Sequence, residues 1–193
     1  GNKAFSYKPE DADWSREMRG NRLISCIPLN HWVMIHTGRD ESKARDFLGN
    51  LKRVGPPMGI QVNDPVRIPL QDDNNNTFLT AIKKAIDDRT QLVLCVLPTN
   101  KKDRYDAIKK LCCINIPVPS QMVLGKTLGK QKQLMSVATK IAIQINCKLG
   151  GEIWALEIPL KGMMVVGIDS YHDSQRKGRS VGAFIASMKK NIS

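Results

Sequence analysis

Histidine is scarce in this chain of 193 residues, with three in all, and a histidine-rich metal site is not expected on that ground. No run of about 18 apolar residues occurs, so no membrane-spanning helix is expected. The opening stretch GNKAFSYKPEDADW is polar and shows no signal peptide. Cysteines number five (Cys26, Cys95, Cys112, Cys113, Cys147), an odd count without zinc-finger spacing. Four of them lie in apolar stretches and are expected to be reduced core thiols of an intracellular protein. Neither GxGxxG nor GxxxxGK[ST] is present, and GKTLGK at 125–130 has the wrong order, so dinucleotide and P-loop readings gain no support. Internal repeats and long low-complexity tracts are also missing.

What the chain does carry is positive charge. Its hydrophobic content of 41% and charged content of 25% are ordinary for a globular domain, but the formal net charge is +12. Residues 98–148 hold ten Lys/Arg against two Asp, and no acidic residue lies between Lys126 and Lys148. That concentration points to a polyanionic partner, nucleic acid before membrane, with a merely solubilising surface as the plain alternative.

Residues 1–20 lack periodicity. RLISCIPL (22–29) and HWVMIHT (31–37) read as strands, the second alternating Trp32, Met34 and His36 against Val33 and Ile35. DESKARDFLGNLKRVG reads as a helix ending near Gly55 and Pro56. A helix over about 77–88 is expected to be capped by an Asn of the preceding loop or by Thr77. QLVLCVLP is a continuous apolar run of the kind a buried parallel strand shows. The helix RYDAIKKLCC, the strand-like IPVPSQMVL and a helix over 131–147 follow. Alternation of helix and strand from 77 to 147 predicts an α/β fold with a central parallel sheet flanked by helices. MMVVGIDSY and RSVGAFIAS, joined by HDSQRKG, predict a β-hairpin that reads as the opening of a second domain.

One residue of the last helix breaks the pattern. Leu134, Val137, Ala138, Ile141 and Ile145 mark its buried face, and at about 100° per residue Lys148 falls about 20° from the centre of that face. A lysine there can complement the helix dipole, or run its stem along apolar surface with the ammonium in water. It can also meet a buried anion supplied by a ligand. In open α/β sheets ligands gather beyond the carboxyl ends of the strands, which places the site at the loop after QLVLCVLP, with Lys101, Lys102 and Arg104. Tyr105 and Lys109 share a helix face four residues apart. That pair suits a base and a phosphate, or equally an amphipathic edge residue beside a solvated charge. With Gln121 on the next strand and Gln144 and Lys148 on the last helix, two ammoniums, two amides and a ring could converge on the terminal phosphate of a nucleotide.

The stretch YDAIKKLCC…VPSQMV…KIAIQINCKLGGEIW resembles the MID domain of Argonaute proteins, and MMVVGIDSYHDSQRKGRSVGAFIASM resembles the first hairpin of the PIWI domain. The YHD at Tyr171–Asp173 points to the Piwi clade. The resemblance implies a Rossmann-like MID domain over 26–155, an arm over 1–25, and the start of a ribonuclease H-like PIWI domain over 156–193. It implies that Tyr105 stacks on the first base of a guide RNA while Lys109, Gln121 and Lys148 hold its 5′ monophosphate. Where the Argonaute clade carries a second lysine, this chain has Gln144, which could offer an oxygen to Mg²⁺. The family's other contact to that metal comes from the extreme C-terminus of the full protein. Selection of the first base would fall to the loop Thr99, Asn100, Lys101, Lys102, Asp103 and Arg104, largely through its backbone shape. Asp169 matches the first carboxylate of the Mg²⁺-dependent slicer site, whose other ligands lie further along the family's chain, so no cleavage is expected of this region alone.

The partners implied are a single-stranded 5′-phosphorylated guide (a piRNA) and, in the full protein, target RNA, with no membrane. The function implied is RNA-guided silencing of transposon or germline transcripts, in perinuclear germ granules of the cytoplasm or in the nucleus. The region itself is expected to be monomeric. Two rival readings stand beside it: a general electrostatic RNA- or DNA-binding domain, and a small-molecule enzyme using Asp169, His172 and Asp173 as a metal cluster.

Overall fold

In the computed structural model the described residues are 4–13, 21–155, 162–172, 178 and 180–187. The chain divides into two compact units, Gly1–Ile153 and Trp154–Ser193. The first is built on four parallel strands, β1 (Trp32–Thr37), β2 (Val66–Leu70), β3 (Leu92–Leu97) and β4 (Ser120–Leu124), in the spatial order β2-β1-β3-β4. The helices are α1 (Glu41–Met58), α2 (Asn75–Ala85), α3 (Lys102–Lys110), the short α4 (Gly125–Leu128) and α5 (Leu134–Lys148). This is the expected parallel α/β layer.

Both inner strands are buried along their whole length. The alternation in β1 therefore separates two cores. Trp32 and Met34 join Leu92, Leu94 and Val123 in packing against α1 and α5. Val33 and Ile35 join Val93, Cys95 and Leu97 in packing against α2 and α3, through Phe78, Ile82, Ile108 and Leu111. Helices thus cover both faces, as a parallel sheet requires, while β2 and β4 each keep one strand edge unpaired.

Several expectations need correction. Residues 22–29 form no strand. Leu23 and Leu29 are buried there by packing, and the backbone pairs in no ladder: it makes the isolated bridges Ser25 with Glu152 and Leu29 with Val62 and single bonds such as Leu23 N–H to Met58 O at 2.9 Å. α1 runs past Gly55 and takes Pro56 and Pro57 into its last turn, ending at Gly59 with φ 91°. α2 spans Asn75–Ala85; Asn74 sits at its cap position without a side-chain cap, and its N–H is instead taken by Asp72 Oδ1 at 2.9 Å. α3 continues as a π-helical turn over Leu111–Asn115. Of the cysteines, all free, Cys95 and Cys112 are buried and Cys26 is partly buried. Cys113 and Cys147 are exposed rather than core residues.

The end of α5 shows why Lys-Leu-Gly-Gly stands where it does. Gly151 N–H donates to Asn146 O at 2.9 Å and Gly150 N–H to Cys147 O at 3.1 Å, the paired bonds of a Schellman stop. Gly150 takes φ 95°, which favours glycine. A Cβ on Gly151 would lie 2.3 Å from the Asn146 amide, so only glycine fits without a shift. Asn146 is fully buried; its Oδ1 accepts from Ile27 N–H (3.0 Å) and its Nδ2 donates to Ser25 O (2.9 Å), pinning the amino-terminal segment to the helix end.

The second unit contains the expected hairpin, β5 (Val166–His172) antiparallel to β6 (Ser180–Ala186), with Asp169 opposite Ala183. The turn residues 173–177 lie outside the described residues.

Two stability results follow. Asn146→Ala removes two partly buried hydrogen bonds at about 1 kcal/mol each and strands the Ile27 N–H, while Ser25 O keeps its bond from Glu152 N–H, so a loss of about 2 kcal/mol is expected in urea unfolding. Gly151→Ala is expected to cost about 1–3 kcal/mol through overpacking on Asn146. A Gly151→Ala protein with an unchanged urea midpoint would show that Asn146 is free to move aside.

Candidate nucleic-acid interface

Because β4 is an edge strand, the main chain of Ser120 is free on its outer side. α3 and α5 lie on opposite faces of the sheet, and each sends a lysine around that edge. Lys148 Nζ donates to Ser120 O at 2.8 Å and to Gln121 Oε1 at 2.6 Å. Lys109 Nζ donates to Ser120 Oγ at 3.1 Å and reaches Ser120 O at 3.4 Å. The buried Gln121 turns its Nε2 to Gln144 Oε1 at 3.2 Å. Four of the expected residues are thus brought together. Tyr105, one helical turn before Lys109, is 46% exposed.

The hub of this cluster, Ser120, is absent from the sequence reading. Its signal was positional, since it precedes Gln121 at the start of a strand that proves to be an edge. The site also lies elsewhere than expected. It flanks the amino end of β4, not the carboxyl ends of the strands. There the chain's own charges fill the space. Asp40, after β1, is buried, accepts from Thr37 Oγ1 (3.1 Å) and Lys43 Nζ (2.7 Å), and would collide with any Cβ on Gly125 after β4. Asp73, after β2, faces Arg39 at 3.5 Å and Arg104 at 3.6 Å.

Nor does the 99–104 stretch behave as one loop. Thr99, Asn100 and Lys101 are exposed loop residues, whereas Lys102, Asp103 and Arg104 form the first turn of α3. Lys102 pairs with Asp106 at 2.5 Å. Arg104 is 2% exposed and points into the protein. Asp103 accepts from Asn75 Nδ2, which holds its carboxyl below the usual range.

Electrostatically the cluster is one-sided. Among the described residues neither Lys109 nor Lys148 has a carboxylate at ion-pair distance. Loss of solvent at the Lys148 ammonium, and then the like charge of Lys109, push its pKa below the ordinary lysine value. Two cations share one carbonyl, and no carboxylate of the described residues lies at ion-pair distance to balance them. An incoming phosphate would meet two ammoniums and the Gln121 amide, with a stacking ring one turn away.

In the second unit Asp169 is exposed, and its Oδ1 accepts from Ser170 N–H at 2.8 Å. His172, three residues on, projects from the opposite face of β5 and pairs its Nδ1 with Ser180 Oγ at 2.7 Å. Asp173, the third member of the rival metal cluster, lies outside the described residues. Among the described residues no three His, Cys, Asp or Glu gather into a metal-holding group, and no helix is long and apolar enough to cross a membrane.

The Piwi domain family matches residues 92–193. The chain belongs to the Piwi family. Among known proteins it is similar to Piwi-like protein 1 of Danio rerio, 47% identical over all of this chain and 22% of that protein. It is likewise similar to Protein piwi of Drosophila melanogaster, 38% identical over 93% of this chain and 21% of the relative. The chain therefore spans less than a quarter of either. The crystal structure of Drosophila Piwi superposes with a TM-score of 0.87 at 38% identity, covering 93% of this chain and 25% of that one. An Argonaute MID domain from Arabidopsis thaliana matches with a TM-score of 0.56 at 20% identity over 70% of this chain and 99% of its own, a likeness of fold. The Piwi-clade resemblance read from Tyr171–Asp173 is thereby shown.

The geometry of this Piwi-family edge site makes one electrostatic prediction. Lys109→Met removes the second cause of the Lys148 shift and leaves the first. The Lys148 pKa, followed by NMR of its side-chain resonances, should rise yet stay below the ordinary lysine value. No rise would mean that the two ammoniums do not sense each other.

Proposed function

We propose that this region of a Piwi protein anchors the 5′-monophosphorylated end of a small guide RNA. The observation that carries this reading is the convergence of Lys109 and Lys148, from opposite faces of the sheet, on the free edge of β4, where no carboxylate of the described residues neutralises them. Lys109, Lys148 and Gln121 would hold phosphate oxygens, and Tyr105 would stack on the first base. The division of the chain after Ile153 supports reading residues 26–155 as the domain that does this and the hairpin as the start of the PIWI domain. In the full protein the anchored guide, a piRNA, would direct silencing of target RNA. Asp169 would be the first carboxylate of a two-metal slicer site.

The donor set bears on Mg²⁺. Gln144 supplies a single carbonyl oxygen, already engaged by Gln121. A hard cation that takes six oxygen ligands is not held by that set alone. Any Mg²⁺ at Gln144 would need oxygens from the RNA phosphate, so the residues here do not form a divalent-cation site by themselves.

The test is binding of one single-stranded RNA with a 5′ monophosphate or a 5′ hydroxyl, with Mg²⁺ and with chelator. At about 150 mM salt diffuse attraction is screened beyond roughly 8 Å. Each charge-assisted hydrogen bond is expected to contribute about 1.5–3 kcal/mol, so the phosphorylated RNA should bind about tenfold or more tighter. Lys148→Ala should erase that preference. Equal binding of both RNAs would leave a general basic surface, the rival that the charge of +12 favours.

The pH dependence has a definite sign. A bound phosphate raises the Lys148 pKa from its lowered free value, so binding takes up protons on the alkaline side. Affinity should be full at neutral pH and fall as pH rises through the lowered free value. It should fall again below about pH 6, where a phosphate monoester loses its second charge. The alkaline decline should vanish in Lys148→Ala, and its persistence there would assign it to another group.

A further inference from the structure

We propose that Asn75, on α2 and outside the stretch 99–104 that the resemblance assigns to base selection, is a positioning residue for selection of the first guide base. It acts through the buried Arg104, and this rests on the reading that the 5′ end is held at Tyr105 and Lys109.

The side-chain amide of Asn75 is divided between two consecutive residues at the start of α3. Its Oδ1 accepts from Arg104 Nε at 3.1 Å, and its Nδ2 donates to Asp103 Oδ2 at 2.9 Å. Arg104 is sunk to 2% exposure, where a guanidinium needs its donors filled. One terminal nitrogen donates to Thr99 Oγ1 at 3.4 Å, and the other donates to Asp73 O and faces the Asp73 carboxylate at 3.6 Å. The guanidinium carbon lies 5.3 Å from the centre of the Phe78 ring. Asn75, Asp73 and Phe78 belong to α2 and the loop before it. Thr99 belongs to the loop between β3 and α3. One buried fork therefore joins α2 to that loop and to the first turn of α3.

Two consequences follow for the proposed base site. The exposed residues Thr99, Asn100 and Lys101 are gripped from behind, at Thr99, so their backbone path is set from inside the protein. The rotation of α3 about its axis is also set. Successive residues of a helix point about 100° apart, so with Arg104 fixed inward Tyr105 is held outward. Arg104, being buried, has no face to offer a base. Base choice is then decided by where this clamp places the loop and the ring.

The experiment uses four 5′-monophosphorylated RNAs that differ only in the first base, each paired with its 5′-hydroxyl form. Wild type, Asn75→Ala and Arg104→Lys are compared, with thermal melts of each. Displacement of a positioned group by about 1 Å weakens discrimination strongly, so the spread of Kd values among the four bases should shrink about threefold or more in both variants. The ratio of 5′-phosphate to 5′-hydroxyl binding should stay as in wild type. An unchanged spread in Asn75→Ala overturns the proposal, as does a wild type that binds all four bases alike. A loss of all affinities together, in step with Tm, reduces the clamp to a structural element and also overturns it. Should Arg104→Lys fail to fold, Asn75→Ala carries the test, because it removes one partly buried amide. Failure of the underlying reading shows separately, as a wild type without preference for the 5′ phosphate.

Discussion

The cluster depends on a strand edge left open. Ser120 begins β4, the last strand of the sheet, and its carbonyl faces outward with no neighbouring strand to take it. Helices of a parallel sheet lie on both faces. Only at an edge can side chains from α3 on one face and α5 on the other meet without crossing the sheet. The carbonyl then holds two ammoniums near each other with no carboxylate of the described residues at ion-pair distance. An added fifth strand beyond β4 would satisfy Ser120 and scatter the two lysines.

The location follows from how the rest of the sheet is finished. At the carboxyl ends of the strands the chain has placed Asp40, Lys43, Asp73, Arg39 and Arg104, all engaged with each other or with nearby backbone. Gly125 closes onto Asp40 so tightly that no side chain fits there. The end of an α/β sheet where ligands usually gather is thus occupied by internal ion pairs. What remains open is the flank of β4, with Tyr105 exposed one turn along α3. The closed end still matters to the open flank, since Arg104 belongs to one and sets the helix that carries the other.

Much of this was legible in the residues, and the failures have physical causes. Helix and strand alternation over 77–147 gave the layer because β3 is buried on both faces and reads as an unbroken apolar run. Tyr105, Lys109, Gln121, Gln144 and Lys148 were legible from spacing and family motif. Their meeting place was not, because spacing along a helix says nothing about which end of a sheet the helix flanks. Residues 22–29 look like a strand from their apolar content, yet Leu23 and Leu29 are buried by packing against α1 and its neighbours without a ladder. Arg104 reads as one more basic loop residue. Its burial depends on Phe78 and Asp73, some thirty residues away, which no local pattern reveals. Cys113 and Cys147 sit in apolar stretches but project outward, since a helix built of apolar residues still has an outer face.

Lys148 can now be weighed against its two ordinary explanations. A lysine in the last turn of a helix gains about 0.3–1 kcal/mol from the dipole, and the terminal carbonyls favour its charged form. A lysine that extends to water keeps its ammonium hydrated. Both would leave its pKa at or above the usual lysine value. The direction found is the opposite, with loss of solvent first and Lys109 second holding it down. Its two bonds run to a carbonyl and an amide oxygen of the chain, neither of which carries a formal charge. The Schellman stop at Gly150 and the lack of room at Gly151 fix the helix end that carries this unfavourable charge, and Asn146 pins the segment beneath it. A rigid mount for a cation that the folded chain itself disfavours makes physical sense where the missing negative charge arrives with the ligand.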